Sequence, residues 1–164
     1  MKTSPQQRTA FIPSRPWLSG LVLIVLTLSL SGFAELGGTA NTVQTDQARM
    51  KGTVKVTEAE AYTVHEITSP EGTVVREFVS PAGVVFAVAW KGHFRPDLQP
   101  LLGAYFAQFS QAVQGQKAGY RGHRPLNIQE PGLVVQTAGH MRSFSGRAYV
   151  PEMIPQGVGA EVIQ

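Results

Sequence analysis

Seven consecutive apolar residues, Val84-Val85-Phe86-Ala87-Val88-Ala89-Trp90, run between a Ser80-Pro81-Ala82-Gly83 turn signal and Lys91-Gly92. A strand with one wet face alternates apolar and polar side chains, whereas a run that is apolar at every position keeps both faces out of water. Whatever this chain folds into must therefore hold this strand near the centre of a sheet. Ser69-Pro70-Glu71-Gly72 carries the same turn pattern as Ser80-Pro81-Ala82-Gly83. In such turns Pro presets φ at the first corner and Gly accepts a positive φ at the end. Tyr62 to Thr68, Thr73 to Val79 and Val84 to Trp90 then read as a three-stranded antiparallel meander, with Thr53 to Thr57 as a candidate strand before it. Arg76 and Glu77 interrupt the second of these runs, and both charges are expected to turn toward an edge or a cross-strand partner.

Beyond Gly92 the period changes. Leu98, Leu101, Leu102, Tyr105, Phe106, Phe109 and Val113 follow the three-and-four spacing of one helical face. Asp97 is placed to cap that helix, and Pro100 falls in the first turn, where its missing N–H does little harm. Gly115, Gly119 and Gly122 then open a loop. Leu126 to Gln129, Leu133 to Ala138 and Met141 to Val150 return to strands, with a turn at Pro131-Gly132 and bends at Gly139 and Gly146. Pro151 and Pro155 end regular structure, and Val158, Val162 and Ile163 are expected to dock as a short edge strand. The fold class is α+β, an antiparallel sheet of about six strands with one amphipathic helix packed on it. Its domain spans 53–164, preceded by a polar segment over 35–52 that reads as a flexible leader.

The N-terminus carries Lys2, Arg8 and Arg15 with no acid, then an apolar run from Trp17 to Leu30, then small residues at Ser31, Gly32 and Ala34. That is the order of a secretory signal peptide, and residues 1–34 are assigned to one, with export through the Sec route and cleavage after Ala34. As an uncleaved anchor the apolar run would reach roughly 21 Å, short of a hydrocarbon core of about 30 Å. No stable membrane anchor is expected after cleavage. The chain has no cysteine, so a bacterial lipoprotein thiol, thiol catalysis and thiolate metal sites are all excluded, and Arg8 and Arg15 stand too far apart for a twin-arginine signal. Of 14 Lys and Arg, the three before Ala34 leave 11, against 11 Asp and Glu that all follow it. A formally neutral mature chain of about 130 residues suits one domain and argues against nucleic acid as a partner.

The candidate chemistry is thin. His65, His93, His123 and His140 show no metal-gripping pair, and neither a metal nor a cofactor is expected. Ser145, with His140 as base and Asp97 as orienting acid, is the nearest approach to a hydrolase, but Ser143-Phe144-Ser145-Gly146 lacks the first glycine of a nucleophile elbow. Asp97 reads more simply as a helix cap. The Lys117 to Arg124 loop gathers basic groups around Tyr120, and could meet an anion if it is not a solvated connector. In the segment from His140 to Tyr149, alternation places His140, Arg142 and Phe144 on one side and Met141, Ser143, Ser145, Arg147 and Tyr149 on the other. Arginines among aromatic rings suit a binding face, and Arg142, Phe144, Arg147, Tyr149 and Trp90 are its candidate residues. Paired surface arginines are the plainer reading.

Taken together, Val75-Arg76-Glu77-Phe78-Val79-Ser80, Gly83 to Gly92, Pro96-Asp97-Leu98, Leu101-Leu102-Gly103 and Gly139-His140-Met141-Arg142-Ser143-Phe144-Ser145-Gly146-Arg147-Ala148-Tyr149 resemble domain of unknown function family 2844, exported proteins of Gram-negative bacteria. The resemblance covers nearly the whole mature chain and implies no reaction, ligand or catalytic residue. The leading expectation is a non-enzymatic periplasmic or envelope-associated domain that binds a protein partner. A cofactor-free hydrolase using His140 with Ser145 or Asp97 is one alternative. Small-ligand binding between helix and sheet, lined by Trp90, Tyr105 and Phe109, is another, which a filled core there would disfavour.

Overall fold

The computed structural model describes residues 35–40, 43–116 and 125–164. Helix α1 (Val43–Met50) precedes strands β1 (Thr53–Glu58), β2 (Thr63–Thr68), β3 (Val74–Val79) and β4 (Val85–Gly92). Helices α2 (Leu98–Leu102) and α3 (Phe106–Gln116) follow, then β5 (Leu126–Glu130), β6 (Leu133–His140) and β7 (Ser143–Tyr149). The strands form one seven-stranded antiparallel sheet in the order β1-β2-β3-β4-β7-β6-β5. The all-apolar run is thus the fourth of seven strands, and Val85 to Trp90 are buried at every position. A candidate fourth strand at Thr53 and a full set of three after the helix make seven rather than about six.

Both serine–proline turns take one geometry. Gly72 N–H donates to the Ser69 carbonyl at 3.0 Å and Gly83 N–H to the Ser80 carbonyl at 2.8 Å. Each serine hydroxyl also accepts from the backbone four residues on, at Thr73 and Val84. The glycines sit at φ +81° and +76°, where a side chain would be strained.

The helix expected from Leu98 is broken into two parts. Asp97 caps α2 by accepting from Gln99 N–H at 3.0 Å. Gly103, at φ 48°, then turns the chain through one 3₁₀ turn, Gly103–Tyr105, into α3. Leu101 and Leu102 are fully buried, and Leu98, Tyr105, Phe106, Phe109 and Val113 pack with them over Val75, Val88, Trp90, Val135 and Ala148. This is the helix-covered face of the sheet. Trp90 lies across Gly146 of β7, where any Cβ would collide with the indole and lie 2.8 Å from the Gln136 carbonyl oxygen.

Two segments differ from expectation. Over 35–52 the sequence suggests a flexible leader, yet residues 36–40 bond to the start of β4: Gly37 N–H donates to Val85 O at 2.8 Å and Val85 N–H to Gly38 O at 2.9 Å. Leu36 and Val43, the sparse apolar residues of this polar stretch, are buried, and α1 lies against β2. Two well-placed apolar anchors suffice where composition alone argues for disorder. The C-terminal residues do not extend a sheet edge either. They make 3₁₀ turns at Pro151–Met153 and Ala160–Val162 and cross the second sheet face, where Ile163 is fully buried among Phe86, Ala87 and Ala89. Pro151 and Pro155 interrupt ladder pairing, and the alanines of β4 leave a trough that a covering side chain fills. Residues 1–34 and the Lys117–Arg124 loop, His123 included, lie outside the described residues.

Candidate functional site

The β6–β7 hairpin rearranges the expected binding face. β6 ends at His140, which pairs with Ser143 of β7, so Met141 and Arg142 are the turn itself. Arg142 holds a positive φ of 61° and is exposed. Alternation therefore breaks at the turn, and Arg142 belongs to neither sheet face. From Ser143 onward it resumes: Phe144, Gly146 and Ala148 face the helices, Ser145, Arg147 and Tyr149 the C-terminal tail.

Arg147 serves the fold. Its Nε donates to Gln136 Oε1 at 2.8 Å, and its Nη1 donates to the carbonyls of Ala160 at 2.8 Å and Ile163 at 3.3 Å. The guanidinium also stands 5.9 Å from the Tyr149 ring centre. Arg76 performs the same office one strand pair away, bonding Glu66 Oε2 at 2.7 Å across the β2–β3 ladder and the Gln164 carbonyl at 2.8 Å. The two arginines pin the tail by its carbonyls. Trp90 is buried against Gly146, and Tyr105 and Phe109 pack into the helix-side core, so the space between helix and sheet at these residues is filled by side chains.

His140, Ser145 and Asp97 come from the turn end of β6, from β7 and from the start of α2. Asp97 spends one carboxylate oxygen on its helix cap. Among the described residues no hydrogen bond joins His140 to Ser145 or to Asp97, and no cluster of three His, Asp or Glu side chains is arranged to hold a metal ion.

One end of the sheet does collect functional groups. Pairing of Thr53 with Thr68, Val74 with Lys91 and Gly92 with Phe144 brings the α1–β1 link, the β2–β3 turn, the β4–α2 loop and the β6–β7 turn to this end. Phe94 is 63% exposed and Met141 88% exposed there. Arg95 lies 5.6 Å from the centre of the Phe144 ring. Lys91, His93 and Arg142 line a shallow depression of about 300 Å³. The charge at this end is mostly positive, with Lys51, Lys91, Arg95 and Arg142 outnumbering Glu71 and the cap residue Asp97.

Beneath α1 lies a pair of acids that the sequence pattern did not single out. Glu77 shares its face with Val75 and Val79, opposite His65 and Val88, and is wholly buried; Asp46 on α1 is 2% exposed. Apart from each other, neither carboxyl has a hydrogen-bond partner among the described residues. They can hydrogen-bond each other only when one carries a proton. Burial pushes Glu77 up to about 8, helped by the charge of Asp46, and burial lifts Asp46 to about 6 against the pull of Arg49. Arg49 Nη1 stands 3.5 Å from Asp46 Oδ1. His65 is lowered by burial alone. Arg76, in contrast, does turn to a cross-strand partner, Glu66.

The fold and its ends define a class: a cysteine-free α+β protein with one antiparallel sheet, helices over one face and its own C-terminal tail over the other. A family model described as protein of unknown function (DUF2844) matches residues 32–163. The chain belongs to that family. Neither the curated proteins nor the solved structures give a match.

Proposed function

We propose that the chain is an exported, non-enzymatic protein of the cell envelope that binds an acidic protein partner through the loop-bearing end of its sheet. The observation that carries this reading is the exposure of Phe94 and Met141, two large apolar side chains, among Lys91, Arg95 and Arg142. Apolar anchors beside arginine are the composition of binding centres, and their side chains gain most when a partner removes them from water. The positive rim would steer an acidic partner and set the approach. Export is supported by the positive, apolar and small-residue order of the first 34 residues.

The test pairs address with binding. The tagged chain is expressed in its native host, fractionated, and its N-terminus sequenced; proteins crosslinked to it are quantified beside those from a Phe94→Ser, Met141→Ser, Arg142→Glu variant. We expect a mature N-terminus near residue 35 in the envelope fraction, and an envelope protein enriched by the native chain at least tenfold over the variant. A chain that still begins at Met1 in the cytosol sinks the export reading. Equal recovery by native and variant chains sinks the surface.

A further inference from the structure

At the loop-bearing end of the sheet Val74, Lys91 and Ser145 stand abreast on three neighbouring strands, on the face whose Ala87 and Ala89 are covered by Ile163. There the depression of about 300 Å³ is walled by Arg76, Lys91, His93, Arg142 and Ser143. Among the described residues no acid lines it. Glu66 is already bonded to Arg76, whose charge is thereby spent, and Glu71 lines the neighbouring cleft instead. Lys91, His93 and Arg142 make no side-chain hydrogen bond or ion pair among the described residues. Arg142 also holds φ 61°, where glycine would sit without strain, so the turn itself does not call for this side chain. Like charges left unpaired around one depression repel each other, and an anion between them removes that cost.

We propose that this depression binds a phosphate monoester, with Lys91 and Arg142 taking its charge and His93 and Ser143 donating to the remaining oxygens. A phosphate monoester carries about −1.5 to −2 charges at pH 7 on three acceptor oxygens, so two cations match it. A carboxylate or a phosphodiester brings one charge and leaves one cation unmet. The guanidinium fork fits two phosphate oxygens at once, and the ammonium meets the third as a point charge. The volume suits the phosphate with a short carrier, whether a soluble metabolite or the glycerol of a lipid. The site shares Lys91 and Arg142 with the partner surface but needs neither Phe94 nor Met141, and it stands or falls separately from that surface.

Glycerol 3-phosphate is the probe, titrated at pH 7 into ¹⁵N-labelled full chain, with dimethyl phosphate and acetate at equal ionic strength as controls. Saturable shifts are expected at the amides of Gly72, Gly92, His93 and Ser143, with affinity at least tenfold above either control. Arg142→Gly removes the charge while relaxing the turn, so it keeps the fold, and should weaken binding at least tenfold. Lys91→Met should do the same. Phe94→Ser with Met141→Ser should leave phosphate binding unchanged, which separates this site from the partner surface. Dibutanoyl phosphatidic acid, a water-soluble lipid, identifies the carrier: affinity above that of glycerol 3-phosphate assigns a lipid headgroup, and equal or lower affinity a soluble monoester. Absence of saturable shifts, a control that binds as tightly as the monoester, or binding kept within twofold in Arg142→Gly and Lys91→Met overturns the proposal.

Discussion

Replacing Glu77 by Gln tests the buried acid pair directly. A carboxyl held near 8 in the folded chain and near 4.5 in the unfolded one keeps its proton in the fold after the unfolded chain has lost it. Between these values the folded state binds more protons, so stability is fully present below about 4.5 and falls as pH rises through about 8. At about 1.4 kcal/mol for each unit of difference, the loss is about 3 kcal/mol by pH 7 and about 5 by pH 8.5. Asp46, raised to about 6, adds loss of the same sign at lower pH. His65 works the other way, because a lowered imidazole makes the fold gain stability as pH rises toward 6.5. Glutamine is neutral at every pH, nearly isosteric with protonated glutamate, and its amide N–H donates to the Asp46 carboxylate. The variant should match the native chain near pH 4.5 and exceed it at pH 8.5, with a thermal midpoint higher by about 10 °C or more. Thermal and urea unfolding followed by circular dichroism from pH 4.5 to 9 reads both quantities, with Glu71→Gln as an exposed control. A native chain whose stability is flat or rising between pH 5 and 8.5, or a glutamine variant less stable than native at pH 8.5, refutes the shared-proton account.

Two further outcomes follow from packing. Gly146→Ala drives a methyl into the Trp90 indole in the centre of the sheet, with backbone oxygen on the other side, and should cost about 2–3 kcal/mol in urea unfolding; a loss under about 0.5 kcal/mol would mean the indole moves freely. Arg147→Ala removes three hydrogen bonds that hold Gln136 and the tail, and should cost about 2 kcal/mol while raising amide exchange selectively at residues 160–164; unchanged exchange there would show the tail held by Ile163 packing and Arg76 without help from Arg147.

The parts of the fold that could be read in advance are those where local chemistry and tertiary packing agree. Val84 to Trp90 announced a central strand because no other placement dries both of its faces, and the serine–proline turns carried their φ requirements in their own glycines. Asp97 was legible as a cap because an acid one residue before an apolar period meets free N–H groups in any helix. What stayed hidden depended on partners far away in the chain. Arg147 looks like a surface arginine until the tail, residues later, brings carbonyls to it. Asp46 sits in a stretch whose composition argues for disorder, and only the sheet beneath α1 reveals its burial. Glu77 did leave a trace: Val75, Glu77 and Val79 alternate onto one face, so an acid stands in an apolar stripe. Expecting Arg76 and Glu77 alike to turn toward an edge or a cross-strand partner concealed it, since neighbours in a strand point to opposite faces.

Covering both faces of the sheet changes where recognition can occur. Edge pairing was an attractive route for a strand-rich protein, and β1 is indeed an edge. Its exposed side chains are Thr53, Lys55, Val56, Thr57 and Glu58, so one exposed valine stands among charge and threonine, and charges on an edge discourage an added strand. The tail covers Phe86, Ala87 and Ala89, and the helices cover Trp90 and its neighbours, so neither face offers a bare apolar platform at its centre. Among the described residues the two most exposed large apolar side chains, Phe94 and Met141, instead stand where loops from four separate parts of the chain meet. A loop end can vary without disturbing the sheet, whereas an exposed face would have to satisfy packing and binding with the same side chains. Arg142 illustrates the division of labour against Arg147: five residues apart on one hairpin, the first stands in the turn facing solvent and the second is spent on the tail. Charge reversal at Arg142 should therefore alter binding at little cost to the fold, and charge removal at Arg147 should do the opposite.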